Sequence, residues 1–135
     1  MISRFEVSSK QRCQFIDITV QVKEAVRAAG VSEGLCTVFV PHTTAGLTVN
    51  ENADPSVVRD ILMELEKTIP YEDGYAHREG NSAAHIKASL MGSSVQLVVS
   101  SGRLNLGTWQ GIYFCEFDGP RRRSFQVHVF GTGGS

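Results

Sequence analysis

Three of the four histidines, His42, His77 and His85, fall at positions from which their rings could meet. His42 follows the strand-like run Thr37 to Val40 and then Pro41, which cannot donate a further ladder hydrogen bond, so the ring stands at a strand end. His77 lies in the glycine-punctuated stretch Tyr71 to Gly80, and His85 in a helical stretch that follows Asn81. On one continuous helix the last two would be about 12 Å apart along the axis, too far to share an ion, but Gly80 and Asn81 let the chain fold back between them. Three neutral imidazoles without a thiolate would leave a fourth position for water or substrate, the pattern of a catalytic rather than a structural zinc site. Thr43, Thr44, Ser82 and Glu51 could orient the rings. Spacing alone leaves a second reading open, in which the histidines are unrelated surface residues or satisfied core residues. His128, between Val127 and Val129, reads as an ordinary strand residue.

A second group lies between Ser101 and Arg123: Arg103, Trp109, Gln110, Glu116, Asp118 and the run Arg121, Arg122, Arg123, around Gly102, Gly107, Gly111 and Gly119. Glycines permit close backbone approach and arginines grip phosphate or carboxylate bidentately, so an anion site is one reading. The other is structural: Trp109 as a core or interface anchor, the glycines as bulges and turns. Three successive arginines on a strand cannot all face one ligand. No glycine-rich phosphate loop of the Walker type and no G-x-S-x-G is present, which removes support for serine-based acyl transfer.

The elements that must position these groups follow from periodicity. Ile2 to Val7 and Gln14 to Ile18 read as strands joined by a hairpin at SSKQR, hence as antiparallel neighbours. Thr19 reads as the N-cap of a short helix carrying Val22, Ala25, Val26 and Ala29, stopped by Gly30. Gly34 to Val40 and Ala45 to Asn50 are the next strands, with Asn50, Glu51 and Asn52 at the junction to a helix capped by Asp54 and opened by Pro55. Val58, Ile61, Leu62 and Leu65 give that helix a core-facing stripe. Asn81 caps another helix, with Ala83, Ile86 and Leu90 on its apolar side. Val95 to Val99, Gly111 to Phe117 and Ser124 to Phe130 are strands, and GRLNLGTW is a connection. These elements predict one domain, 1–135, of α+β class: a mainly antiparallel β-sandwich or flattened barrel with two or three inserted helices.

Composition narrows the partners. With 13 basic and 14 acidic side chains the chain has no global field to hold nucleic acid or an anionic membrane. No apolar run approaches a membrane span, and no signal-peptide core is visible. Cys13, Cys36 and Cys115 share no short spacing, which fits free thiols in a reducing compartment. A soluble cytoplasmic protein with a small-molecule substrate is expected.

PHTTAGLTVNENADP, HREGNSAAHIKAS and GRLNLGTWQGIYFCEFDGPR together resemble the YjbQ-like family, small cytoplasmic proteins catalogued as uncharacterised and sometimes named secondary thiamine-phosphate synthases. The similarity runs over nearly the whole chain. It implies a β-sandwich-like α+β fold, a homotrimer, and a metal site to which His42, His77 and His85 correspond, with zinc as the expected divalent ion and magnesium the alternative. The family name implies condensation of hydroxymethylpyrimidine diphosphate with a thiazole phosphate, with release of diphosphate. On that reading Arg103 and the metal stabilise the leaving group and Trp109 stacks on a heteroaromatic ring. One alternative is a metal-assisted hydrolase or lyase acting on a small phosphorylated or carboxylated molecule, with Glu51 or Glu116 as general base. Another is a non-enzymatic trimeric metal- or ligand-binding protein. The substrate-binding candidates are Thr43, Thr44, Asn50, Trp109 and Gln110.

Overall fold

The computed structural model describes residues 1–132. It is α+β, with two curled antiparallel sheets and three helices. Strands β1 (Ile2–Ser8), β3 (Gly34–Phe39), β5 (Ser94–Ser100), β6 (Arg103–Leu104) and β8 (Arg122–Gly131) form the larger sheet in the order β1-β8-β3-β5-β6. Strands β2 (Gln14–Asp17), β4 (Ala45–Glu51) and β7 (Gln110–Glu116) form the smaller, in the order β2-β7-β4. The helices are α1 (Thr19–Ala29), α2 (Pro55–Thr68) and α3 (Ser82–Met91).

Alternation in β8 explains how the sheets meet. Phe125, Val127 and Val129 point inward and are buried, while Gln126 and His128 on the other parity are half-exposed. Cys36 and Val38 of β3, Leu47 of β4, Ile112 and Phe114 of β7, and Val22 and Val26 of α1 close on that row as one core. Phe125 joins the layers, stacked on Phe5 with centroids 5.2 Å apart and tilted against Phe114 at 6.3 Å.

The expected hairpin between the first two strands does not form. β1 pairs with β8 and β2 with β7, so the SSKQR segment carries the chain from one sheet to the other. Buried Ser9 pins that crossing, its N–H donating to Arg121 O at 3.0 Å and its hydroxyl to Glu116 Oε1 at 2.8 Å. Helix α1 keeps its expected span and its left-handed stop at Gly30 (φ 66), but Thr19 is not its cap. Asp17 Oδ1 accepts from Thr19 N at 2.9 Å, and the Thr19 hydroxyl accepts from Ile112 N at 2.9 Å, tying the helix start to β7.

Asp54 caps α2 as its sequence predicts, accepting from Ser56 N at 2.9 Å. The α2 stripe faces inward as expected, with Val58, Ile61, Leu62 and Leu65 half-buried and Arg59, Asp60, Glu64 and Lys67 exposed; none is fully buried, and Val58 and Leu65 touch a second apolar cluster with Tyr113, Cys115 and Phe117. In α3, Ala83 is buried but Ile86 and Leu90 face outward, against expectation; the rest of the buried face is Ala84, Lys87 and Ala88. Small side chains there let α3 close on β4, where a Cβ on Gly46 would lie 2.7 Å from Gly92 O. Lys87 crosses that packed layer to reach Glu66 Oε2 at 2.8 Å. Cys13, Cys36 and Cys115 are free thiols. Among the described residues no helix is long and apolar enough to cross a membrane.

Candidate functional site

Three elements bring the histidines together. The chain leaves β3 with Val40 N bonded to Ser93 O at 2.8 Å, turns at Pro41, and sets His42 against β8, where Ser124 N–H donates to His42 Nε2 at 3.0 Å. The first turn of α3 carries His85, and the loop before it carries His77, with Gly80 (φ 75) making the fold-back. The rings of His77 and His85 stand edge to face with centroids 5.5 Å apart. All three histidines line one open cleft of about 440 Å³ with Thr43, Asn81, Asp118 and Arg121.

The three arginines have three different partners. Arg121 reaches the cleft mouth and pairs with Asp118 Oδ2 at 3.1 Å. Arg122 points out and pairs with Glu6 at 3.2 Å. Arg123 turns inward, where its Nη2 donates to Glu116 Oε2 and its Nε to Glu116 Oε1 at 2.8 Å. Glu116 is fully buried and also accepts from Ser9 Oγ and from Asp118 N at 2.9 Å. Burial alone would raise its pKa, but the hydrogen bonds from Arg123, Asp118 N and Ser9 outweigh it and hold the carboxyl below its ordinary value. Every oxygen of Glu116 is engaged, so the expected general base is instead the post on which β7, β8 and the Ser9 crossing are fixed. Thr44 lines the cleft as well, with its buried hydroxyl already accepting from Arg123 Nη2 at 2.8 Å. Thr43 lines it too.

Asn81 begins α3 but does not cap it with its side chain. Its Nδ2 donates to Asp118 Oδ2 at 2.9 Å, which fixes the amide's orientation and leaves Oδ1 buried without a partner among the described residues. An orphaned acceptor at a cleft wall is a place for a donor on a bound molecule. Sequence reading treated Asn81 only as a cap, and no local pattern separates the two roles.

The other candidates lie elsewhere in the chain's own fold. Glu51 and Gln110 face each other at the far end of the β4–β7 ladder from Ala45 and Glu116. Six residue steps of about 3.4 Å put that end roughly 20 Å from the histidine end. Asn50 is there too, and so is Trp109, 62% exposed, with its carbonyl held by Asn52 N at 3.0 Å. Arg103 lies on the β5–β6 hairpin beside α1. A single chain therefore does not bring Glu51, Asn50, Trp109, Gln110 or Arg103 to the histidines.

Two imidazoles bound through nitrogen to one tetrahedral ion at about 2.0 to 2.1 Å have ring centres roughly 5 Å apart, which the His77–His85 pair matches. His42 as it stands gives its Nε2 lone pair to Ser124 N–H and joins such an ion only when its ring turns. Burial, reinforced by the Arg123 charge, lowers the His42 pKa and favours the neutral ring that ligation needs. With the side chains in these positions, no group of three or more His, Cys, Asp and Glu among the described residues could hold a metal ion.

Sequence and fold have counterparts. The family model described as UPF0047 protein YjbQ-like matches residues 3–132. A UPF0047 protein of Methanocaldococcus jannaschii is 47% identical over 97% of this chain and 95% of its own length. UPF0047 protein YugU of Bacillus subtilis is 46% identical over 97% of this chain and 100% of its own. The solved structure of an uncharacterised conserved protein of this family from Clostridium acetobutylicum superposes with a TM-score of 0.94 at 58% identity, covering 95% of this chain and 99% of that one. A YbjQ-like protein of unknown function from Sulfolobus solfataricus gives 0.94 at 32% identity, covering 97% and 96%. The chain belongs to the UPF0047 YjbQ-like family.

Proposed function

We propose that the histidine cleft binds a divalent metal ion, zinc first and magnesium second, and that the protein is a metal-assisted hydrolase or lyase of a small phosphorylated or carboxylated molecule. The observation that carries this reading is the meeting of His42, His77 and His85, from three separate segments, in one cleft with a guanidinium at its mouth. When bound, such an ion supplies Lewis acidity and a nucleophile at neutral pH. The chain's own groups do the rest. Arg121, held by Asp118, receives the anionic group of the substrate; Asn81 Oδ1 accepts a hydrogen bond from a hydroxyl or amino group elsewhere on the substrate; and Thr43 lends a hydroxyl at the rim.

Thiamine-phosphate synthesis, the activity implied by the family resemblance, calls for Arg103 and Trp109 beside the histidines. Within one chain they are remote, which favours the hydrolase or lyase reading unless a second copy supplies them. The homotrimer belongs to the same proposal: Leu35 lies between Val98 and Phe130 in an apolar row on the outer face of the larger sheet, with both flanking residues more than half exposed. Light scattering giving one chain per particle would remove it.

A panel of small phosphate esters and carboxylic esters offered to zinc-loaded protein tests the activity. Hydrolysis is expected with at least one phosphate ester, and Arg121→Ala is expected to cost about tenfold or more in kcat/KM, the worth of one charge-assisted contact. A silent panel, or an Arg121→Ala variant as active as the parent, contradicts the proposal.

A further inference from the structure

The β5–β6 hairpin and helix α1 enclose a separate cleft of about 360 Å³. Lys23 and Arg27 stand on its α1 side, Arg103 on its hairpin side, and Val26 and Leu104 between them. We infer that this cleft is a second binding site, for a phosphate monoester with an apolar body.

The charge arrangement is the first argument. Lys23 and Arg27 are four residues apart and share one helix face, where like charges destabilise a helix. Arg103 adds a third cation from across the cleft. None of the three makes an ion pair among the described residues, although the chain as a whole carries one more acid than base. Of the acids near in sequence, Glu24 projects about 100° around the helix from Lys23. Glu33 is already engaged, accepting from Ser101 N at 3.0 Å. Arg27, in the last turn of α1, also complements the helix dipole, but that accounts for neither Lys23 nor Arg103.

Shape is the second. Val26 is buried and Leu104 half-buried, so an apolar surface lies beneath a cationic rim. The hairpin turn that carries Arg103 is fixed before any ligand arrives. Ser101 (φ 52) and Gly102 (φ 76) take the paired positive φ values of a tight hairpin turn, and Gly102 N is tied to Ser32 O at 2.9 Å. Three cationic heads match the three terminal oxygens of a phosphate monoester better than the two of a carboxylate.

The cleft is independent of the histidines. Strand β3 separates them: Gly34 pairs with Val99 at the hairpin end, and Phe39 pairs with Ser94 at the end that leads to His42. Five residue steps make that roughly 17 Å.

Calorimetric titration of the full chain with phenyl phosphate tests the site, with inorganic phosphate and benzoate as comparison probes and His85→Ala, Arg27→Ala and Arg103→Ala as variants. Measured on the Arg121→Ala background, in which the histidine cleft lacks its anion-receiving guanidinium, phenyl phosphate is expected to bind once per chain and more tightly than either comparison probe. On that background affinity should fall about tenfold or more with Arg27→Ala or Arg103→Ala and stay unchanged with His85→Ala. The two arginines are exposed, so their variants should melt with the parent. Absence of binding at millimolar probe, equal affinity in the arginine variants, loss in His85→Ala, or inorganic phosphate or benzoate binding as tightly as phenyl phosphate would overturn the inference.

Discussion

Glu116→Ala is expected to lower stability by about 3 to 5 kcal/mol, because it leaves the buried Arg123 guanidinium without its carboxylate. For a chain of this length that is a fall of about 10 to 20 °C in melting temperature. Glu116→Gln keeps the shape but loses the charge, and should also melt well below the parent. A general base would behave differently: its Gln variant would lose activity with the fold unharmed. The pH dependence carries the same sign. The folded-state pKa of Glu116 lies below its ordinary value of 4.5, so its contribution is complete above that value and is lost as pH falls through the lower, folded-state pKa. Glu116→Gln should remove that part of the acid limb. A Glu116→Ala variant within about 1 kcal/mol of the parent would show that the buried pair does not hold β7 to β8.

Phe125→Ala is expected to cost about 3 to 5 kcal/mol by denaturant unfolding. Phe125 is fully buried and contacts Phe5 on a neighbouring strand of its own sheet and Phe114 on the opposite sheet. Its removal opens a void at the junction of the two layers, which Phe125→Leu fills in part and should cost much less. A loss below about 1 kcal/mol for the alanine variant would mean that the layers repack around the gap.

Local signals were readable wherever the cause is local. Asp54 before Pro55 marked a helix start because cap and first turn lie within three residues of each other. The alternation Phe125, Val127, Val129 gave the inward face of β8 directly. The pairing of β1 was not readable from its neighbour β2, since its partner is far along the chain: Ile2 lies opposite His128. Lys87 was hidden because a helical lysine reads as solvated, and nothing near it in sequence announces Glu66 across the packed layer.

The Glu116–Arg123 pair had a signal that the sequence reading did not use. Arg123 shares parity with Phe125 and Val127, and Glu116 shares parity with Ile112 and Phe114. Each charge was therefore due to point inward, and buried charges need a partner. The histidines were the reverse case: their placement at a strand end, in a loop and on a helix suggested the grouping, spacing alone left a second reading open, the family resemblance favoured the first, and all three line one cleft. Glu51, Trp109 and Arg103 were grouped with them by their chemistry, but strand length carries them to the other end of the sheets.

The most direct test of the metal proposal is the metal content per chain of protein purified without a histidine tag, beside the same preparation of His85→Ala. His85 is only partly buried, so both should melt alike. Near-stoichiometric zinc or another divalent ion in the parent, absent from the variant, is the predicted result. Parent protein that carries no metal and fails to take up added zinc or magnesium would contradict it.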